Sequence, residues 1–105
     1  RAGGIALTKA LSKELASDNI LVNTVCIGRI KAAQGQKAYE IARTQSPGLT
    51  LDEYYGKQAE MLNVPLGRVG EASEAADVIT FLASERASYV TGVAVNIDGG
   101  ASPVV

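Results

Sequence analysis

Apolar and polar positions recur with helical spacing at the start of the chain. Leu7, Leu11 and Leu15 fall four residues apart with Ala6 and Ala10 beside them, while Lys9, Lys13 and Glu14 supply a polar side. That pattern predicts an amphipathic helix over 2–16. Gly3, Ala6 and Ala10 lie along a neighbouring line of small residues that permits close approach of another helix, and Ser17-Asp18-Asn19 stops the run. Residues 20–26 are then β-branched and apolar without alternation, the pattern of a strand buried on both faces of a parallel sheet. Ile27 and Gly28 end it.

Helical spacing returns over 31–45, around Ala38, Ile41 and Ala42, and Ser46-Pro47-Gly48 breaks it. Thr50 and Glu53 form a capping-box pattern opening a helix over 51–62, which Pro65 terminates. Ala75, Val78, Ile79 and Leu82 mark a further amphipathic helix over 71–83, with Glu71, Glu74 and Asp77 near its positive end. Ser84 can cap a short turn through Ala87. Residues 93–97 read as a second strand, closed by Asp98-Gly99-Gly100. The inserted pair of helices, rich in Gln, Tyr and Gly, reads as a lid or specificity region over 31–62.

The sum is about four helices and two strands in 105 residues, enough for one domain. Two parallel strands and amphipathic helices cannot cover one another's faces, and ordering a chain of this length costs on the order of 100–200 kcal/mol. The sequence also opens at Arg1, inside a helical pattern and without an initiator Met. A fragment of a larger fold is therefore expected.

Composition narrows the chemistry. With 47% hydrophobic and 20% charged residues the chain has the balance of a globular protein, not a disordered one. Net charge is −1 and the cations are scattered, so neither nucleic acid nor an anionic membrane is expected as a partner. The longest apolar run, 20–28, is far short of the ~20 residues of a membrane helix. Nothing resembles a signal peptide, and the single Cys26 excludes an internal disulfide. The expected location is cytoplasmic. There is no His, so no Ser-His or Cys-His mechanism fits within the chain, and no metal site is expected.

Three segments together resemble a known family. Ala2-Gly3, Leu7-Thr8-Lys9-Ala10-Leu11 and Lys13-Glu14-Leu15-Ala16 resemble the helix after the catalytic tyrosine of short-chain dehydrogenases/reductases. Leu21-Val22-Asn23-Thr24-Val25 with Gly28 is similar to the family's Val-Asn-x-Val-x-Pro-Gly strand and turn. Pro65-Leu66-Gly67-Arg68-Val69-Gly70, Phe81-Leu82-Ala83-Ser84, Tyr89-Val90-Thr91-Gly92 and Asp98-Gly99-Gly100 resemble its C-terminal signature. The resemblance covers most of the chain outside 31–62, in the family's order and spacing.

It implies an α/β fold, a Rossmann-type doubly wound parallel sheet of which residues 1–105 are the C-terminal part. It implies an NAD or NADP cofactor and carbonyl–alcohol interconversion by hydride transfer on a small molecule. The family's Gly-rich loop, catalytic serine and tyrosine would lie upstream. Arg1 falls at the position of the family lysine, directly before Ala2-Gly3, as a catalytic and cofactor-binding candidate. An arginine there can hold ribose hydroxyls, but its pKa above ~12 prevents it from relaying a proton. Gly28 and the backbone of Ile30, flanked by Ile27, are the other implied cofactor contacts. Tyr54, Tyr55 and Met61 are candidates for the substrate lid. The family's tetramer contacts imply a homo-oligomer (tetramer or dimer), built on the first helix and on helix 71–83 with strand 93–97.

Two departures stand out: Ile27 replaces the family proline, and Ala32 stands where a threonine often contacts cofactor. With Arg1, they motivate an alternative, a non-catalytic relative that keeps the fold as an oligomer or binding scaffold. Bland roles are expected elsewhere. Asn23 in an apolar strand needs a structural hydrogen-bond partner, and Cys26 is a small hydrophobe. Arg68 should bond loop carbonyls or a carboxylate, and Asp98-Gly99-Gly100 should be a turn. Tyr39 and Arg43 imitate the catalytic Tyr-x-x-x-basic spacing but lie in the lid region.

Overall fold

The computed structural model describes residues 2–105. Helix α1, Ala2–Leu15, runs into a 3₁₀ turn, Ala16–Asp18, that closes on Asn19. Asn19 takes a left-handed φ of 58° and donates its N–H to the Ala16 carbonyl at 2.9 Å, a conformation asparagine tolerates well. Strands β1, Thr24–Ile27, and β2, Ala94–Ile97, pair in parallel, with Thr24 opposite Ala94 and Ile27 opposite Ile97. Between them lie α2, Ala33–Gln45, α3, Leu51–Met61, and α4, Ala72–Leu82, followed by a 3₁₀ turn, Glu85–Ala87.

Element types match the periodicity, and the first strand is displaced from it. The expected 20–26 is observed as Thr24–Ile27. Residues 20–23 are still leaving the helix: Ile20 N–H bonds to the Leu15 carbonyl, and Val22 N–H to the Thr91 hydroxyl at 3.0 Å. Burial on both faces is not observed either, since β1 is half-buried and Ile27 is 45% exposed. Two strands leave most of their sheet surface uncovered. Among the elements, α1 and β2 supply its main contacts. The buried Thr8 of α1 donates to the Gly4 carbonyl at 2.8 Å and touches the Thr24 hydroxyl, stitching helix to strand.

Asn23 holds the start of the ribbon. Its amide donates to the Val90 carbonyl at 3.0 Å, and its oxygen accepts from Val93 N–H at 3.2 Å. The adjacent Gly92 N–H donates to the Val22 carbonyl. Gly92 has φ +74° and faces the Ser12 hydroxyl, which a Cβ would meet at 2.6 Å. That is why the stretch before β2 carries a glycine.

Helix α2 begins two residues later than the spacing suggests, and Ala32 before it has no side chain with which to cap it. Helix α3 starts where Thr50 accepts from Glu53 N–H at 3.2 Å. A tyrosine trio joins the two helices: Tyr39 and Tyr54 rings lie 5.8 Å apart, and Tyr54 and Tyr55 rings 5.6 Å. Tyr39 donates to the Leu49 carbonyl at 2.9 Å under the Arg43 guanidinium, so this pair serves packing. The small core sits at the base of α3, where Tyr55, Ala59 and Val69 are buried against Leu51, Tyr54 and Val64.

Among the described residues no large side chain is fully buried. The radius of gyration is 17.2 Å, with extents of 58 × 25 × 21 Å, against roughly 13 Å for a compact domain of this length. The uncovered sheet and elongated outline are the form expected when core partners lie outside these residues. No helix among the described residues is long and apolar enough to cross a membrane.

Candidate functional site

Both strands end together, at the side of an α/β sheet where ligands bind. Gly28 leaves β1 with its N–H on the Ile97 carbonyl at 2.9 Å. A Cβ on Gly28 would stand 2.7 Å from Asp98 Cβ and 2.9 Å from Asp98 Cα. The neighbouring strand exit therefore demands glycine here. Asp98 in turn ties its own loop: its two carboxylate oxygens accept from Gly100 N–H and Ser102 N–H, each at 2.9 Å. Gly99 and Gly100 take φ +63° and +89°, the left-handed geometry of the expected turn.

Past Gly28 the chain is pinned to a distant loop. The Arg29 carbonyl accepts from Gly70 N–H at 3.1 Å, and Lys31 N–H donates to the Gly70 carbonyl at 2.9 Å. This parallel bridge uses the groups on either side of Ile30. The Ile30 N–H and carbonyl themselves have no hydrogen-bond partner among the described residues. They lie at an open hollow of about 470 Å³ lined by Gly28, Arg29, Ile30, Leu62 and Ala101. Backbone groups in this state are satisfied by water or by a bound group that offers one donor and one acceptor.

Two ion pairs hold the pinned loops. Lys31 reaches Glu71 at 2.6 Å, its ammonium 5.5 Å from the centre of the Tyr55 ring. The Arg68 fork meets both oxygens of Glu74, at 2.7 and 2.9 Å, the bidentate geometry arginine favours. Glu74 also accepts from Glu71 N–H at 2.9 Å, which caps α4. The Arg68 hydrogen bonds first, and that backbone N–H second, hold the Glu74 carboxyl at about 2, down from 4.5.

Because the folded value is the lower one, Glu74 contributes stability above pH 4.5 and loses it as pH falls toward 2. The Lys31 ammonium is raised above 10.5, chiefly by its Glu71 hydrogen bond. Its contribution is present below that pH and fades as pH rises through the folded value. The expected result is that Glu74→Gln lowers the urea midpoint at pH 7 and that the gap to wild type closes between pH 4.5 and 2. A gap that persists at pH 2 would remove the ion pair as its cause. Both partners are exposed, so 1 M salt should narrow the gap at pH 7.

A cleft of about 430 Å³ lies between the Gly28 exit and the α2–α3 pair, lined among others by Arg29, Gln34, Tyr54, Tyr55 and Gln58. Tyr55 is only 6% exposed. Its hydroxyl nevertheless makes no hydrogen bond among the described residues. In helix α2, Gly35 makes room for that hydroxyl, which a Cβ there would meet at 2.9 Å.

The structure brings Gly28 and Ile30 together at one strand exit and places Tyr54 and Tyr55 across the cleft from it. Ile27 precedes that exit. Met61 stands apart: it is 74% exposed and does not line the cleft. Arg1 lies outside the described residues. Sequence reasoning missed Arg29, although a cation directly after the glycine of a strand exit was a visible signal. It also missed Gly70 as the backbone partner of Ile30's neighbours, for which spacing offers no clue across 40 residues. No group of three or more metal-ligating side chains occurs among the described residues.

Comparisons with known proteins give the family and the fold. A family model described as enoyl-(acyl carrier protein) reductase matches residues 1–102. The chain is 42% identical over 100 residues to 3-oxoacyl-(acyl-carrier-protein) reductase FabG of Thermotoga maritima, covering 95% of this chain and 35% of that protein. It thus spans about a third of the length of the curated relatives it matches. A short-chain oxidoreductase of Pseudomonas aeruginosa, described as containing an atypical catalytic center, matches all of the chain. Its apo structure gives a TM-score of 0.90 at 31% identity over 39% of that protein. Its NADPH-bound form gives 0.85 at 30% identity and 38% coverage. L-sorbose reductase of Gluconobacter frateurii, with NADPH and L-sorbose, matches 99% of the chain and 39% of its own, with a TM-score of 0.83 at 30% identity.

Proposed function

The chain belongs to the short-chain dehydrogenase/reductase family, a family of oxidoreductases, and from that premise we propose that it is the C-terminal, substrate-side part of an NAD(P)-dependent enzyme interconverting a carbonyl and an alcohol. Its two parallel strands and four helices are a segment of the Rossmann-type sheet of its structural neighbours. The observation that carries the proposal is the Ile30 peptide. Its N–H and carbonyl have no hydrogen-bond partner among the described residues and lie at the carboxyl end of the sheet, held in place by the Arg29 and Lys31 bonds to Gly70.

A nicotinamide carboxamide offers one acceptor and one donor and so fits that pair. When bound, the nicotinamide supplies or accepts a hydride. The chain's own contribution is to orient it: the Ile30 peptide fixes the amide, and the Gly28 exit keeps the strand end narrow beside it. The α2–α3 lid, 31–62, closes the substrate side. Arg1 stands where the family lysine does, and can hold ribose hydroxyls without relaying a proton. One structural neighbour is itself described as containing an atypical catalytic center.

The same reading places the protein in the cytoplasm as a homo-oligomer, tetramer or dimer. Its contact surfaces would be α1 and the face formed by α4 with β2, where Leu7, Ile79 and Phe81 are exposed. The deciding experiment is fluorescence titration of the complete protein with NADPH and NADH. Saturable binding of either one, weakened when Ile30→Pro removes the N–H, is expected. No binding of either cofactor would favour the non-catalytic scaffold, which Ile27 in place of the family proline also motivates.

A further inference from the structure

The cations around the strand exits are unequally placed. Lys31 is paired with Glu71 and Arg68 with Glu74. Arg29, between them and the cleft, has no ion-pair or hydrogen-bond partner for its side chain among the described residues. It lines the 430 Å³ cleft, and no acidic residue lines that cleft with it. The remaining polar lining is neutral: Gln34, Gln58, Tyr54 and Tyr55. Tyr55 adds an independent sign, because its ring is buried while its hydroxyl has no partner among the described residues. That hydroxyl reaches solvent at the cleft, since no buried side-chain oxygen of the described residues lacks a partner, and so it is free to donate to a bound molecule.

We infer that this cleft takes a small carbonyl or hydroxy compound that also carries a carboxylate, with Arg29 as its counter-ion and Tyr55 as a hydrogen-bond donor to its oxygens. The inference rests on the proposed function and names the substrate class of that same site. A guanidinium matches a carboxylate bidentately, and a cleft with one unbalanced positive charge offsets the anion's lost hydration. A neutral carbonyl substrate would leave that charge unused. Phosphate shares the recognition chemistry, so the test separates the two.

The test uses the complete protein with bound NADPH or NADH, comparing reduction of acetoacetate with that of ethyl acetoacetate, its uncharged ester. Wild type should prefer the acid in kcat/KM, and Arg29→Leu should reduce that preference about 10- to 100-fold, with Arg29→Lys in between. A readout independent of turnover accompanies it. Acetoacetate should protect Arg29 from phenylglyoxal modification, mapped by peptide mass, where the ester and inorganic phosphate do not. If both compounds are reduced with a preference that Arg29→Leu leaves unchanged, the inference fails while the proposed function stands. Equal protection by phosphate would overturn the carboxylate assignment. Absence of both cofactor binding and turnover would defeat the proposed function, and the protection pattern would then still decide what Arg29 holds.

Discussion

Gly28→Ala is expected to destabilise the complete protein by about 1–3 kcal/mol in urea unfolding, the range for forcing a methyl group into filled space. The added carbon would stand 2.7 Å from Asp98 Cβ and 2.9 Å from Asp98 Cα. Rotating a side chain cannot relieve the second contact, because the Cα moves only with the backbone. The exits of β1 and β2 must part, stretching the Gly28 bond to the Ile97 carbonyl and the loop that Asp98 ties through Gly100 and Ser102. NADPH titration of the same variant gives the second half of the result. Loss of stability together with weaker cofactor binding is expected, since the Ile30 peptide lies two residues on. Unchanged stability with weakened binding would show that cofactor approach, not the strand exit, requires the glycine.

Asn23→Leu should cost more, about 2–4 kcal/mol. Leucine fills a similar volume but removes both bonds across the start of the ribbon, leaving the Val90 carbonyl and the Val93 N–H unmatched in a half-buried place. Each such group costs about 1–3 kcal/mol, less where water can reach it. Thr91→Val deletes the neighbouring bond to Val22 N–H. Because the two residues serve one network, their effects should not add, with a coupling of about 0.5–3 kcal/mol in a double-mutant cycle. A cost near zero for Asn23→Leu, or strict additivity, would mean that the bonds are replaced by water.

Much of this was legible in the residues. Period-four leucines placed α1, Thr50 with Glu53 placed the start of α3, and the unalternating apolar run announced a parallel strand. Asn23 and Arg68 could be assigned partners in advance because a polar group in an apolar strand, or an arginine between turn residues, needs one. The boundaries of β1 were not legible. Ile20 and Leu21 have the composition of a strand, yet where the ladder begins is decided by Thr91, almost 70 residues away. The same limit hid the Gly70 bridge. Backbone pairing carries no side-chain signature, so the free Ile30 peptide becomes visible only once both loops are in place. Tyr54, Tyr55 and Met61 looked alike on one helix, and only packing separates the buried Tyr55 from the exposed Met61.

The parallel ribbon has a further consequence for handling the chain. Each of its strands is hydrogen-bonded on one side, and each outer edge lacks a ladder partner among the described residues. Such edges are templates for any extended segment, including the same strand from another molecule. Thr-Val-Cys-Ile in β1 carries no charge to discourage stacking. Produced by itself at high concentration, this stretch should therefore pass into sheet-rich aggregates, and colloidal behaviour rather than folding equilibrium would limit its shelf life.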